Sequence, residues 1–242
     1  MVLLATGGMV VTGMTAQAMI IDDFSSDTSA KYDVLRTSGS VSASYARNGS
    51  NQFQPNNNGA EASTNWLRND GYLFTVGTTI SIDAWVATSL YYTSGLSICQ
   101  SLTDGATNKS LYIQLVPHPS WATEPYQTAD PVMTLNGGVF FWDFDKTFSY
   151  GPSTISLTRV SDTKLDCTVA YYDTTGTPQT WTGSDTSLLP GAYYFGMSSY
   201  GSQNVIMDNL GYTPIPEPAA LGLLALGGLV LARRRQALAA GS

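Results

Sequence analysis

Thr79-Ile80-Ser81-Ile82-Asp83-Ala84-Trp85-Val86-Ala87 is the stretch that decides the fold. Ile80, Ile82, Ala84 and Val86 alternate with Ser81, Asp83, Trp85 and Ala87, the period-2 pattern of a strand with one face in a core and one outside it. The same pattern recurs along the chain. Residues 20–24, 32–36, 40–46 and 95–102 read as strands, the last as the hairpin partner of residues 79–87. Residues 110–116, 139–144, 153–160, 164–172, 191–198 and 204–210 complete the main set. Residues 180–182 read as an edge segment. Turn chemistry separates the strands: Thr103-Asp104-Gly105, Ser161-Asp162-Thr163 and residues 173–177. Residues 48–58 read as an Asn- and Gly-rich loop. Residues 117–131, punctuated by Pro117, Pro119, Pro125 and Pro131, read as irregular. Short strands with turns every 8–12 residues or so indicate an all-β sandwich.

Composition agrees. Charged residues make up 12% of the 242, and Ser, Thr, Asn and Gly are abundant, which suits an exported β-protein with neutral polar faces. Without Arg233, Arg234, Arg235 and Glu217, 8 basic and 17 acidic residues remain, a net charge of −9. Such a surface repels nucleic acid and disfavours an anionic polysaccharide unless a divalent cation bridges the two.

The two ends read as addresses. Residues 2–14 are apolar or small, and Ala16-Gln17-Ala18 is a small-x-small cleavage site, although no Lys or Arg precedes the apolar run. Residues 1–18 are therefore expected to be a signal peptide without its basic region, with the mature chain starting near Met19. At the other end, Pro216-Glu217-Pro218 precedes an uncharged run over residues 219–232, followed by Arg233-Arg234-Arg235. The 14-residue run would span roughly 21 Å as a helix, short of the roughly 30 Å hydrocarbon core, and snorkelling Arg side chains make up part of the difference. The basic stop would stay cytoplasmic, leaving everything before it outside.

This tail resembles the PEP-CTERM sorting signal of Gram-negative bacteria. That resemblance implies recognition by an exosortase, a membrane protease-transpeptidase, at Pro216, Glu217 and Pro218, with Arg233, Arg234 and Arg235 as the stop. It implies transient anchoring in the inner membrane, then release to the cell surface or an exopolysaccharide matrix. The expected division is residues 1–18 signal peptide, 19–211 sandwich, 212–235 sorting segment and 236–242 tail.

The body resembles the concanavalin A-like (laminin G-like) jelly roll in three places. They are Ile21-Asp22-Asp23-Phe24, the pair Ser156-Leu157-Thr158-Arg159-Val160 and Thr168-Val169-Ala170-Tyr171-Tyr172, and Val205-Ile206-Met207-Asp208-Asn209-Leu210. The resemblance implies a single jelly-roll sandwich, flanked by an N-terminal signal helix and a C-terminal hydrophobic helix, with its first and last strands adjacent. Asp22, Asp23 and Asp208 would then meet. Oxygen ligands of that kind suit Ca²⁺, and related jelly rolls hold a structural calcium.

Catalytic chemistry finds little support. Laminarinase-like enzymes on this fold carry Glu-x-Asp-x-x-Glu on one strand, which is absent here. Asp143 and Asp145 share a strand face roughly 7 Å apart, a spacing any i, i+2 pair has. His118 is the only His, which disfavours a zinc site or a His-based triad. No Gly-x-Ser-x-Gly occurs. Cys99 and Cys167 are the only cysteines; export permits a disulfide, but alternation turns one outward and the other inward. The aromatics carry the binding expectation. Trp85 beside Asp83 on the polar strand face, and Trp121 with Tyr126 in the Pro-rich stretch, offer rings to stack on a sugar and carboxylates for its hydroxyls. The alternative for Trp85 and Trp142 is a place in the core. The resulting expectation is an exported structural or carbohydrate-binding protein rather than an enzyme, with a polysaccharide hydrolase or lyase as its rival.

Overall fold

A computed structural model describes residues 18–36, 44–56, 63–85, 92–116, 128–135, 138–142, 151–173, 175–200 and 205–214; for residues 115–116, 128–135 and 138–142 it describes backbone only. Two antiparallel sheets make up this body. One has six strands in the order β1 (Met19–Asp22), β13 (Ile206–Thr213), β4 (Thr79–Trp85), β9 (Pro152–Arg159), β10 (Leu165–Tyr172) and β11 (Pro178–Asp185). The other has seven, in the order β2 (Tyr32–Arg36), β3 (Ser63–Arg68), β12 (Tyr194–Tyr200), β5 (Thr93–Cys99), β6 (Lys109–Val116), β7 (Thr128–Leu135) and β8 (Gly138–Trp142). The fold is an all-β sandwich of jelly-roll type. Residues 18–213 form one compact unit. Among the described residues no helix is long and apolar enough to cross a membrane; the run over residues 219–232 and the expected signal peptide lie outside them.

The alternation in β4 survives intact. Ile80, Ile82 and Ala84 are fully buried, while Thr79, Ser81, Asp83 and Trp85 are half-buried on the other face. Ile82 lies opposite Ile155 and Ile80 opposite Leu157, and these side chains join Leu96, Ile98, Leu111 and Ile113 of the second sheet in one core. Burial of that apolar surface is the main term holding the sheets together. Phe24, Phe53, Trp66 and Tyr45 close one end, with Phe53 edge-on to Trp66 at 4.9 Å and to Tyr45 at 5.2 Å.

The second sheet differs in kind. All seven residues of β5 are buried, as are five of six in β3, so alternation there separates two covered faces. Gly95 and Gly196 sit where β5 and β12 approach their neighbours. A Cβ on Gly95 would strike the Leu111 carbonyl oxygen, and one on Gly196 the Trp66 carbonyl oxygen. Only glycine permits that approach.

Three expectations change. β5 is not the hairpin partner of β4: the two lie in opposite sheets, and β5 pairs with β6 and β12. Their apolar faces meet across the core instead. The stretch read as irregular through Pro131 includes β7, in which Pro131 lies opposite Ile113. The strand expected over residues 40–46 does not form in its described part, where Ser44 makes an isolated bridge to Asn56 and residues 45–46 are loop. The first and last strands do pair, with Met19 opposite Tyr212. The β9–β10 hairpin forms as expected, and β11 lies at the sheet edge.

Candidate functional site

The outer face of the six-stranded sheet is built from what β4, β9, β10 and β11 do not bury. Residues opposite one another across adjacent strands share a face, so the register lays out rows. Thr79 faces Thr158, Ser81 faces Ser156, and Asp83 faces Thr154. Ser156 in turn faces Thr168, which faces Thr182. The result is a field of neutral hydroxyls. Thr79 and Thr158 share a hydrogen bond of 2.9 Å. Asp83, Asp166 and Asp208 are the acids of the field.

Trp85 and Asp83 mark one end. Trp85 lies opposite Ile206 on one side and Pro152 on the other, half-buried and outside the sandwich core. The core role is thereby excluded for this ring. Asp83 accepts from Thr154 Oγ1 at 2.7 Å and from Asn209 Nδ2 at 3.0 Å, one bond to each carboxylate oxygen. Asn209 reaches it because β13 bulges between Asp208 and Gly211 and carries Asn209 at φ 52°, a left-handed conformation that Asn tolerates. Burial raises the Asp208 carboxyl above the ordinary range, and the neighbouring charges of Asp83 and Asp23 push it the same way, against hydrogen bonds from Asn209 and Gln52.

The calcium expectation is corrected in its ligand set. Asp22 is turned into the protein. Its oxygens accept from Phe24 N at 2.9 Å and the Tyr32 hydroxyl at 2.8 Å, with the Arg68 guanidinium 3.8 Å away. It is committed to a buried cation and is not free to ligate a metal. Asp23 caps the turn at Ser25 N. Among the described residues no three His, Cys, Asp or Glu side chains are placed to hold a metal ion. Trp121, Tyr126, His118, Asp143 and Asp145 lie outside the described residues, as do Pro216, Glu217, Pro218, Arg233, Arg234 and Arg235.

Cys99 and Cys167 are both free and buried. Cys99 lies beside Leu35 and Leu67, its thiol on the Asp104 carbonyl. Cys167 points between the sheets, and burial, with Asp185 and Asp166 adding to it, drives its thiol far above the ordinary value. The outward and inward directions read from alternation hold.

A polar network on the seven-stranded sheet gave no sequence signal. Ser97 Oγ donates to Asn108 Oδ1 at 2.7 Å, Asn108 Nδ2 to Ser110 Oγ at 3.4 Å, and Ser110 Oγ to Asn65 Oδ1 at 3.5 Å. All four residues are buried. Buried hydroxyls and amides linked in this way fix strand positions and present nothing to solvent.

The fold is an all-β sandwich whose six-stranded sheet turns a hydroxyl-rich face with a few acids away from the core. Residues 214–236 match the PEP-CTERM protein-sorting motif, so the chain is an exported protein carrying a C-terminal sorting tail. No curated protein sequence matches it. Among solved structures, peanut lectin with a 9mer peptide is similar at TM-score 0.46 and 12% identity, over 79% of this chain and 95% of that one. A protein with a galectin-like fold from Bacillus subtilis gives 0.48 and 8%, over 79% and 93%. The Ca²⁺-bound VIP36 exoplasmic/lumenal domain gives 0.48 and 10%, over 81% and 90%. These likenesses concern the fold and assign no ligand to this chain.

Proposed function

We propose that this is a surface-sorted, non-enzymatic protein that binds neutral glycan in the cell envelope or exopolysaccharide matrix of a Gram-negative bacterium. The observation that carries the reading is the hydroxyl field ending on Trp85 and the Asp83–Asn209 pair. Ser and Thr hydroxyls exchange hydrogen bonds with sugar hydroxyls, the carboxylate accepts two, and an indole ring covers the apolar face of a pyranose. A net charge of −9 on the exported part favours an uncharged polymer over an anionic one. The sequence carries neither the Glu-x-Asp-x-x-Glu of laminarinase-like enzymes nor a Gly-x-Ser-x-Gly. Both features support binding rather than hydrolysis or lyase chemistry.

Trp85→Ala should abolish retention on a glycan array while lowering stability by no more than about 2 kcal/mol, against about 3–5 for a fully buried Trp. Array binding read beside a thermal melt checks this. Unchanged glycan retention would overturn the platform.

The sorting tail carries a second expectation. An exosortase should cut near Pro216-Glu217-Pro218 and remove the basic stop. Mass spectrometry of surface material should find no peptide containing Arg233 to Arg235. An intact tail in that fraction would refute cleavage while leaving membrane anchoring in place.

A further inference from the structure

A second polar site lies in a hairpin remote in sequence from Trp85. Ser44 N donates to Asn56 O at 2.9 Å, Gln54 N to Ala46 O at 3.0 Å, and Asn48 N to Gln52 O at 3.0 Å, which closes residues 44–56 on themselves. Phe53 pins this hairpin to β13 through two backbone bonds with Met207, at 2.9 and 3.0 Å, and its ring enters the aromatic cluster. Asp27, Tyr45, Ala46, Arg47, Asn48 and Asn51 then line an open cleft of about 290 Å³.

The lining is held in place but not used up. Tyr45 is stacked on Tyr32, and its hydroxyl bonds Thr28 at 2.7 Å. Asn48 Oδ1 takes the Ser50 and Gln52 N–H groups, and its amide donates to Gln52 at 2.9 Å. Those contacts are structural. Arg47 spends one donor, Nη1, on the Phe24 carbonyl at 3.1 Å, and a guanidinium has five. Asp27 accepts from Ser29 N at 2.9 Å through one oxygen. That bond, with the Arg47 charge adding to it, lowers its carboxyl below the ordinary value and keeps it ionised. Asn51, held at φ 61° at the hairpin tip, makes no side-chain hydrogen bond among the described residues.

The geometry points to this cleft as a subsite for one neutral sugar ring, with Asp27 accepting from adjacent hydroxyls and Arg47 and Asn51 donating to them. Ligand sites commonly run from roughly 300 Å³ upward, so the cleft takes a single ring and not an oligosaccharide. Asp27 and Arg47 put one negative and one positive charge on the same lining, so the wall carries no net charge. A polyol needs acceptors and donors side by side without net charge, which is what the wall supplies. The assignment rests on the glycan-binding reading and places a second point of contact on the same protein.

The test is ligand-observed NMR on the full chain in detergent micelles, with the methyl glycosides of glucose, galactose and mannose, and glycine as the zwitterion. At least one methyl glycoside should bind, and Asp27→Asn and Arg47→Lys should each weaken it by about tenfold or more. Asn51→Gly, which keeps the left-handed backbone, should weaken it while leaving the melting temperature unchanged. Each cleft variant is also compared in the Trp85→Ala background, which removes any ring bound at the platform. Equal binding by wild type and the three cleft variants overturns the assignment, as does binding of glycine alone. If polymeric glycan is retained but no methyl glycoside binds, the cleft assignment fails and the glycan-binding function stands. If neither binds, both fail.

Discussion

Ile82→Asp is expected to prevent folding. Ile82 is fully buried opposite Ile155, in the strand that sits between β13 and β9 of the six-stranded sheet. An aspartate there would place a carboxylate in the apolar core that holds Ile80, Ala84 and Leu96. The group would have to be buried charged, or protonated and left without partners; either costs several kcal/mol. Losses beyond about 4–5 kcal/mol are confined to a few mechanisms, and an unpaired buried charge is one of them. A domain of this size holds only about 5–15 kcal/mol in all. Ile82→Val, which keeps the apolar surface, should cost about 0.5–1.5 kcal/mol. The measurement is soluble yield followed by a thermal melt of both variants. A cooperative melt for Ile82→Asp within a few degrees of wild type would mean that β4 faces the other way.

The alternation that sets this expectation was legible because β4 has two unlike surroundings. Ser81 and Asp83 meet an outer face while Ile80 and Ile82 meet the core, and period 2 records the difference directly. β5 gave no comparable contrast, since both its faces are buried. Its position after β4 suggested a hairpin, and nothing in Thr93-Ser94-Gly95-Leu96 marks a strand that crosses to the opposite sheet. Pro131 similarly argued against β7, because proline forfeits a ladder donor; the strand tolerates it next to the edge strand β8. The site divides along the same line. Asp83 and Trp85 were visible as polar-face neighbours on one strand. Asn209 was not, because a bulge in β13 aims it, and a bulge depends on the pairing rather than on local pattern. Asp22 misled for a related reason. Its partners Tyr32 and Arg68 lie on other strands, so its inward turn is a tertiary fact. The cleft at Asp27 and Arg47 is likewise assembled by a hairpin whose anchor, Phe53, reads in sequence as one aromatic in a polar loop.

Asp185→Leu should be the other severe single change, and its partner should rescue it. Lys109, on the inner face of β6, and Asp185, at the end of β11, are both buried and bonded directly across the two sheets. Ser187 Oγ accepts from Lys109 Nζ at 2.6 Å and donates to Asp185 Oδ1 at 2.7 Å, while Ser187 N reaches the same oxygen at 2.8 Å. Removing the carboxylate leaves an ammonium without its counter-charge in the interior, which costs about 3–5 kcal/mol. Replacing both groups, Lys109→Met with Asp185→Leu, removes the stranded charge, so the double variant should recover most of that loss. The pair also dictates a pH dependence. Burial raises the Asp185 carboxyl, but the bonds from Lys109 and Ser187 outweigh it, and the net effect lowers its pKa. A carboxyl depressed on folding stabilises the protein above its unfolded pKa, near 3.8, and that contribution fades as the pH falls through the folded value. Urea melts in steps from neutrality to below about pH 4 should therefore show an acid-dependent loss in wild type that is smaller in the double variant. Other carboxylates with lowered pKa, Asp23, Asp27 and Asp173, are common to both proteins, so their share cancels in the comparison. A double variant no more stable than Asp185→Leu alone would show that the tie between the sheets is packing of the Lys109 stem and not its charge.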